Sequence, residues 1–386
     1  MLRNPLVPRL QGLGTTIFAE MSALALATGA INLGQGFPDV DGPDEMKQLV
    51  IEAVRGGRNQ YAPGIGIPEL RAAVVDHQKR FYGLDLESET QVQVTAGATE
   101  GVTAAMLALV DSGDEVVALE PYYDSYGAAI AMAGGVRVPV TLRAPDFRLD
   151  VERLRAAVTA RTKVILLNTP HNPTGTVLTT SELQAVAAVA IEHDLIVVTD
   201  EVYEHLVYDG AHTPISTLPG MFERTVTISS AGKTFAFTGW KVGWVTGPVE
   251  LVAAVRTTQQ FMTFTNAAPM QPAVAHGLLM ADTYFETLTN DMRRKRDLLC
   301  EGLAGVGFDT FKPSGTYFVT ADIRPLGYHD GYQFCRDLPI LAGVVAIPHA
   351  VFYDNVEFGE PLVRFAFCKR DEMLTEAISR LHALAR

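Results

Sequence analysis

The sequence predicts an α/β protein: a large unit with a mostly parallel central sheet flanked by helices, joined to a smaller α+β unit. Three observations carry this. Short, nearly unbroken apolar runs alternate with helical stretches from about residue 90 to about residue 230, as expected of strands covered by helices on both faces. Five of these runs end in polar or glycine-rich residues, TAGAT, EPYYD, HNPTG, TDEVY and SSAGK, and open α/β sheets bind ligands at that edge. After about residue 280 a charged helical stretch leads into short strands and a last helix, the texture of an α+β unit.

In chain order, VQVTAG (92–97) is a β-rich run, and ATEGVTAAMLALVDSG after it predicts a helix closed by Gly113. DEVVALEPYY (114–123), VRVPVTL (136–142), TKVILLNTPHNPTG (162–175), DLIVVTDEVY (194–203) and RTVTISS (224–230) predict further strands, with SELQAVAAVAIEHD (181–194) as an intervening helix. In the smaller unit YFETLTNDMRRKRDLLCEGLAGVG is helical, GTYFVTADI, GVVAIP and PLVRFAFC are strands, and EMLTEAISRLHALAR is the final helix. The N-terminal segment, rich in Gly and Pro (NLGQGFPDVDGP, YAPGIGIPEL), is expected to pack across the smaller unit or against a partner subunit. The expected boundaries are 30–283 for the large unit, and 1–29 with 284–386 for the small one.

Composition narrows the function. Acidic residues outnumber Lys and Arg 44 to 31, a formal charge of −13, which disfavours nucleic acid and polybasic membrane contacts. Cys300, Cys335 and Cys368 lie far apart with no C-x-x-C pair and predict reduced thiols. No apolar run reaches the roughly 18 residues of a membrane span, and MLRNPLVPRLQGLG lacks a leader's apolar stretch; a cytoplasmic location is expected. The scattered His residues show no metal-ligand spacing, so no metal site is expected. Neither a phosphate-binding G-x-x-x-x-G-K-[ST] loop nor a G-x-S-x-G elbow is present, and GIGIPE lacks the dinucleotide spacing.

SSAGKTFAFTGWKVGW (229–244) surrounds Lys233 with small and hydroxylated residues and places Lys241 eight positions on. A lysine whose amine loses its proton forms a Schiff base with a carbonyl, and burial or a second cation lowers its pKa. The competing reading is a surface lysine on a loop. Asp200 ends the apolar strand IVVTD; it either meets a protonated ring nitrogen or caps the next helix. HNPTG offers Asn172 as a donor at a strand end, or is simply a good turn. TAGATEG presents backbone amides and Thr99 where a helix begins, a phosphate cradle that Ser230 and Lys241 would complete, or an ordinary helix start. Tyr123 either stacks on a flat ring or belongs to the core. Arg364 in LVRFAF is a lone cation between apolar residues; it either binds a carboxylate or faces solvent.

The ordered set NLGQGFPD, NQYAPG, TAGATEG, EPYYDSY, NTPHNPTG, TDEVYEHLVY, SSAGKTFAFTGWKVGW and LVRFAF resembles the fold-type I, class I and II pyridoxal-phosphate aminotransferases over essentially the whole chain. The resemblance implies pyridoxal 5′-phosphate as cofactor, amino-acid and 2-oxo-acid substrates, and 30–283 as the cofactor-binding domain. Lys233 matches the lysine that binds the cofactor covalently and moves the substrate Cα proton. Asp200 matches the ring-nitrogen partner, Tyr203 and Asn172 the donors to the phenolic oxygen, and Tyr123 the stacking aromatic. Gly97, Ala98, Thr99, Ser230 and Lys241 match the phosphate shell. Tyr61 matches a tyrosine that reaches the neighbouring subunit's phosphate, which implies a homodimer with shared sites. Arg364 matches the α-carboxylate clamp, with Gly36 at the lip of the substrate site and Asn172 beside it.

Two departures matter: Lys241 stands where familiar members have Arg, and Gly232 replaces a phosphate-binding serine. Lysine there, with GQGFPD and EPYYDSY, is similar to the kynurenine/glutamine and methionine aminotransferase subgroup, in which Phe18 matches an aromatic of the substrate pocket. TTIFAEMSALA, YDSYGAAIAMAGG, DEVYEHLVYD and RPLGYHD most resemble the bacterial N-succinyldiaminopimelate aminotransferases of lysine biosynthesis. The implied reaction passes an amino group from N-succinyl-L,L-2,6-diaminopimelate to 2-oxoglutarate, giving glutamate. The alternative is a kynurenine, glutamine or methionine aminotransferase with cysteine-conjugate β-lyase side activity.

Overall fold

A computed structural model describes residues 5–385; residues 1–4 and 386, the outer ends of the expected small unit, lie outside the described residues. The strands are β1 (Ile31–Asn32), β2 (Val92–Thr95), β3 (Glu115–Glu120), β4 (Val136–Thr141), β5 (Thr162–Asn168), β6 (Ile196–Asp200), β7 (Thr225–Ser230) and β8 (Gly243–Thr246), then β9 (Asp309–Phe311), β10 (Phe318–Asp322), β11 (Val344–Val345), β12 (Ile347–Pro348) and β13 (Leu362–Ala366). Among the described residues β2 to β8 form a seven-stranded sheet ordered β2–β8–β7–β6–β5–β3–β4. Strands β3 to β7 run parallel to one another, and β8 runs antiparallel to both neighbours.

The apolar runs read as expected because both faces of this sheet are covered. Val164 and Leu166 of β5 join a core with Val102 and Met106 of the helix Gly97–Leu109, while Ile165 and Leu167 join one with Leu183 and Val186 of the helix Thr180–Glu192. Alternation persists along the strand, but each side chain finds an apolar layer.

Register brings the strand ends to one edge. Gly243 lies opposite both Thr95 and Ser230, and Asn168 lies beside Asp200. The antiparallel β8 thereby starts where β2 and β7 end, which carries the loop after β2 against the segment after β7.

Several boundaries differ from expectation. The helix after β2 stops at Leu109, short of Gly113. Asp111 Oδ1 accepts from Ser112 N at 2.7 Å and Asp114 Oδ2 from Asp111 N at 3.0 Å, so local side-chain bonds replace the helical ladder. The strand in DEVVALEPYY ends at Glu120, and Tyr123 precedes the helix Asp124–Ala133. GVVAIP divides into β11 and β12, which pair with different strands. The helix Thr180–Glu192 starts at a capping box between Thr179 and Glu182.

Strands β12–β13–β10–β9 form an antiparallel sheet, and β1 pairs in parallel with β11. Residues 31–32, inside the expected 30–283 unit, thus hydrogen-bond to the C-terminal layer. The helix Ile17–Thr28 buries Met21 and Ala25 in the core that contains Leu299, Phe334 and Phe367, and Leu33 of NLGQGFPDVDGP joins it. YAPGIGIPEL instead packs on the large sheet, with Ala62, Ile67 and Leu70 against Val92, Val94 and Trp244, because its apolar residues find the outer face of β2 and β8. Among the described residues no helix is long and apolar enough to cross a membrane.

Candidate active site

A cavity of about 290 Å³ opens at the shared edge of the sheet. Lys233 enters it from the short helix Ala231–Thr234, which follows β7 directly. Its Nζ donates to Gly36 O at 3.3 Å. Burial lowers the ammonium pKa to about 8; Arg364 and Lys241 push the same way, against Cys368 and Asp200. The amine is therefore poised to lose its proton near neutrality.

Asp200, at the end of β6, is buried, and burial pushes its carboxyl up to about 6. Tyr126 Oη donates to Oδ2 at 2.7 Å, and Val202 N donates to Oδ1 at 3.2 Å. Tyr126 escaped the sequence reading, although it sits one helical turn after Tyr123 on the helix Asp124–Ala133. Tyr123 lines the cavity with its ring centroid 6.2 Å from that of Phe18.

Another part of the wall is suited to an anion. Gly97, Ala98 and Thr99 open the helix Gly97–Leu109 beside Ser230 and Lys241, and free amides at a helix start favour phosphate. Gly97 has φ +74°, and a Cβ there would lie 3.2 Å from Lys241 Cε and Nζ, so glycine is needed for the close approach. Lys241 Nζ lies 3.5 Å from Thr99 Oγ1. Gly232 also lines the cavity, without a side chain to bind anything.

Arg364, in the inner strand β13, is 1% exposed. Its Nη1 donates to Asn172 Oδ1 at 2.8 Å and its Nη2 to Gly34 O at 3.1 Å. The guanidinium lies 3.9 Å from the Phe318 ring centroid and 5.3 Å from that of Phe18. Among the described residues Nε is buried without a partner and no carboxylate pairs with the group; burial lowers its pKa to about 10. A buried cation in this state calls for an anion, and the guanidinium fork suits a carboxylate. Because Asn172 Oδ1 faces Arg364, its Nδ2 is left to donate elsewhere.

Tyr203 is buried, and Lys233 Nζ lies 5.7 Å from its ring centroid. Gly36 sits on the wall where a Cβ would come within 2.5 Å of the Phe318 ring. Tyr61 is the exception: it is 84% exposed, edge-on to Phe264, and outside its own chain's cavity. Gln35, Phe37, Ser125, Asn168, Val202, Thr238, Val242 and Phe318 complete the wall unforeseen. They carry no signal along the chain, since register and loop packing bring them in.

A second polar cluster lies outside the cavity. His77, Glu204 and His205 bring their donor atoms within 4.8 Å of one another. Each already has a partner: the two Nε2 atoms are 2.7 Å apart, and Glu204 accepts from Tyr82 Oη and Ser229 Oγ. This network anchors the end of β7 next to Ser230.

The residues fit a flat, phosphorylated, basic-nitrogen cofactor. A buried acid with a raised pKa suits a protonated ring nitrogen, the cradle suits a phosphate, and Lys233 supplies a nucleophilic amine. Residues 28–381 match the family model described as aminotransferase class I and II. The chain is 51% identical, over 98% of its length and 98% of the relative's, to a Mycobacterium tuberculosis (strain ATCC 25618 / H37Rv) protein named "Probable N-succinyldiaminopimelate aminotransferase DapC". The solved structure of N-succinyldiaminopimelate aminotransferase from Mycobacterium tuberculosis superposes with a TM-score of 0.96 at 51% identity, covering 98% of this chain and 100% of that one. The methionine aminotransferase of Escherichia coli (strain K12) is 40% identical over 100% of both chains.

Proposed function

Because the chain belongs to the class I and II aminotransferases, we propose that it is the transaminase that passes the amino group of N-succinyl-L,L-2,6-diaminopimelate to 2-oxoglutarate by a ping-pong reaction. The family is pyridoxal-phosphate-dependent, and the bound cofactor supplies an electron sink for the substrate Cα. The observation that carries the donor assignment is the 51% identity over nearly the whole chain.

In this reading the chain's residues divide the work. Asp200 would hold the proton of the ring nitrogen, with Tyr126 steadying its carboxylate. The amides of Gly97, Ala98 and Thr99, with Ser230 and Lys241, would hold the phosphate, while Tyr123 would cover the ring. Tyr203 Oη and Asn172 Nδ2 would donate to the phenolic oxygen. Arg364 exchanges Gly34 O for the substrate's α-carboxylate, next to Phe18 and Gly36, which orients the Cα–H bond toward Lys233. Lys233 would then take that proton at its Nζ and hold it for return, a transfer its lowered pKa favours. Tyr61, exposed in its own chain, completes the phosphate shell of a second subunit, so the working unit is a homodimer. The division into a large unit (30–283) and a small one (1–29, 284–386) follows the same reading, except that β1, paired with β11, goes with the small unit; a cytoplasmic location follows it too.

A second reading has specific support. Phe18, Phe37, Tyr123 and Phe318 give the cavity aromatic walls, and among the described residues its basic side chains are Lys233, Lys241 and Arg364, all already assigned. Among the described residues that line the cavity no further cation is left for a distal succinyl carboxylate, which favours methionine, glutamine or kynurenine as donor. The test is a single-turnover panel with N-succinyl-L,L-diaminopimelate, kynurenine, glutamine and methionine, each without acceptor, following the long-wavelength absorbance of the bound cofactor. A rate orders of magnitude higher for the succinylated donor is expected; a faster kynurenine, glutamine or methionine refutes the assignment in favour of the second reading.

A further inference from the structure

The Gly36 carbonyl receives two donors: Lys233 Nζ at 3.3 Å and Tyr317 Oη at 2.5 Å. Tyr317 is outside the sequence-derived set and does not line the active cavity; it lies behind it, on a second cavity of about 350 Å³ that also touches Lys233. We propose that Tyr317 is a positioning residue: by clamping the Gly36 carbonyl, its hydroxyl sets where the Lys233 amine rests whenever that amine is free. This rests on the transaminase reading above and deepens it.

The loop around Gly36 is pinned on both sides. Arg364 holds Gly34 O, Gln35 Nε2 donates to Phe18 O at 2.9 Å, and Lys369 Nζ donates to Phe37 O at 2.7 Å. Gly36 itself has no side chain to anchor, and the Phe318 ring excludes one. Its carbonyl direction is therefore governed by the donors it meets. Tyr317 is a firm donor: the ring is 1% exposed and meets the Tyr203 ring edge-on at 5.2 Å. Burial holds its phenol protonated throughout the working range.

With the family's cofactor in place, Lys233 would hold it for part of a transamination and would have to act as a free base in the rest. A flexible lysine amine samples many positions, and a misplacement of about 1 Å can cost about 100-fold in rate. A fixed carbonyl accepting one N–H restricts the amine and leaves its lone pair for the Cα proton. The same bond favours the charged amine, so loosening the carbonyl lowers the pKa.

The test uses the full-length chain freed of cofactor, with acetic anhydride labelling of Lys233 followed by peptide mass against pH. Tyr317→Phe removes the hydroxyl and keeps the ring. Its labelling midpoint is expected at least about half a pH unit below the parent's, the direction that losing a hydrogen bond to the charged form gives. Gly36→Ala, which displaces the same carbonyl through Phe318, is expected to move it the same way. Tyr122→Phe removes a buried hydroxyl bonded to Asp354 at 2.8 Å outside the cavity and is expected to leave the midpoint in place. In the holoenzyme Tyr317→Phe is expected to lower kcat about ten-fold with KM within two-fold, on the misplacement scale above. An unchanged midpoint in Tyr317→Phe overturns the proposal, as does a shift equal to that of Tyr122→Phe. The labelling readout involves no amino donor, so it stands or falls separately from the donor assignment.

Discussion

Arg364 gives a prediction in which stability and activity part company. The perturbation is Arg364→Met, similar in length and without charge. Burial lowers the guanidinium pKa from its ordinary value to about 10, a fall worth roughly 3 kcal/mol against the charged form. The pKa of this base is lower in the folded chain than in the unfolded one, so the penalty is present throughout the range below pH 10. Methionine removes it. The same change removes the bonds to Asn172 Oδ1 and Gly34 O, about 1.5 kcal/mol each at the lower end for a charged donor. The two effects nearly cancel, and the melting temperature of the ligand-free variant is expected within about 3 °C of the parent. Activity has no such cancellation. Leaving a buried carboxylate without its cation costs about 3–5 kcal/mol, which corresponds to a fall in kcat/KM of roughly 100- to 5,000-fold. The assays are calorimetric melting of the ligand-free protein and steady-state kinetics with the best donor from the panel. A variant that keeps kcat/KM within ten-fold, or that loses more than about 10 °C, refutes the view that this arginine is held in reserve for a substrate carboxylate.

Other consequences are equally direct. Lys233 labelling in the cofactor-free chain should rise with a midpoint near pH 8, and Lys241→Gln should raise that midpoint by removing a neighbouring cation; a midpoint at the ordinary lysine value would contradict the burial argument. The linked stability has the sign of a base with a lowered folded pKa: the penalty is full below pH 8 and is relieved as the pH climbs from there toward 10.5, the ordinary value. Gly97→Ala forces a left-handed residue, about 1–2 kcal/mol, and crowds Lys241, so pyridoxal phosphate affinity should fall about ten-fold while affinity for unphosphorylated pyridoxal holds; equal losses for both would count against the cradle. Mixing inactive Lys233→Ala and Tyr61→Ala chains should regenerate one intact site per mixed dimer and restore activity, whereas no recovery would count against Tyr61 serving a second subunit.

What the chain determined by itself is the chemistry carried by local signals. Apolar runs mark strands because both sheet faces are covered, and polar or glycine-rich breaks after them mark the edge where ligands bind. Lys233, Asp200, Asn172, Gly97 and Ser230 each stand at or just past such a break, so their order and type were legible. Arg364 was legible as a cation among apolar neighbours, though two outcomes were open, and the structure shows it buried without an anion. Tertiary structure alone decided the rest. Tyr126 reaches Asp200 from 74 positions away, Gly36 meets Lys233 across 197, and Tyr317 closes on the same carbonyl across 281. No periodicity encodes such pairings. They follow from the antiparallel β8, which turns the Lys241 segment back onto the Gly97 helix, and from β10 and β13, which carry Phe318 and Arg364, with Tyr317 just before β10, against the Gly34–Phe37 loop. Side-chain type is local information, but a hydrogen bond's geometry depends on where sheet register and helix packing leave its two ends.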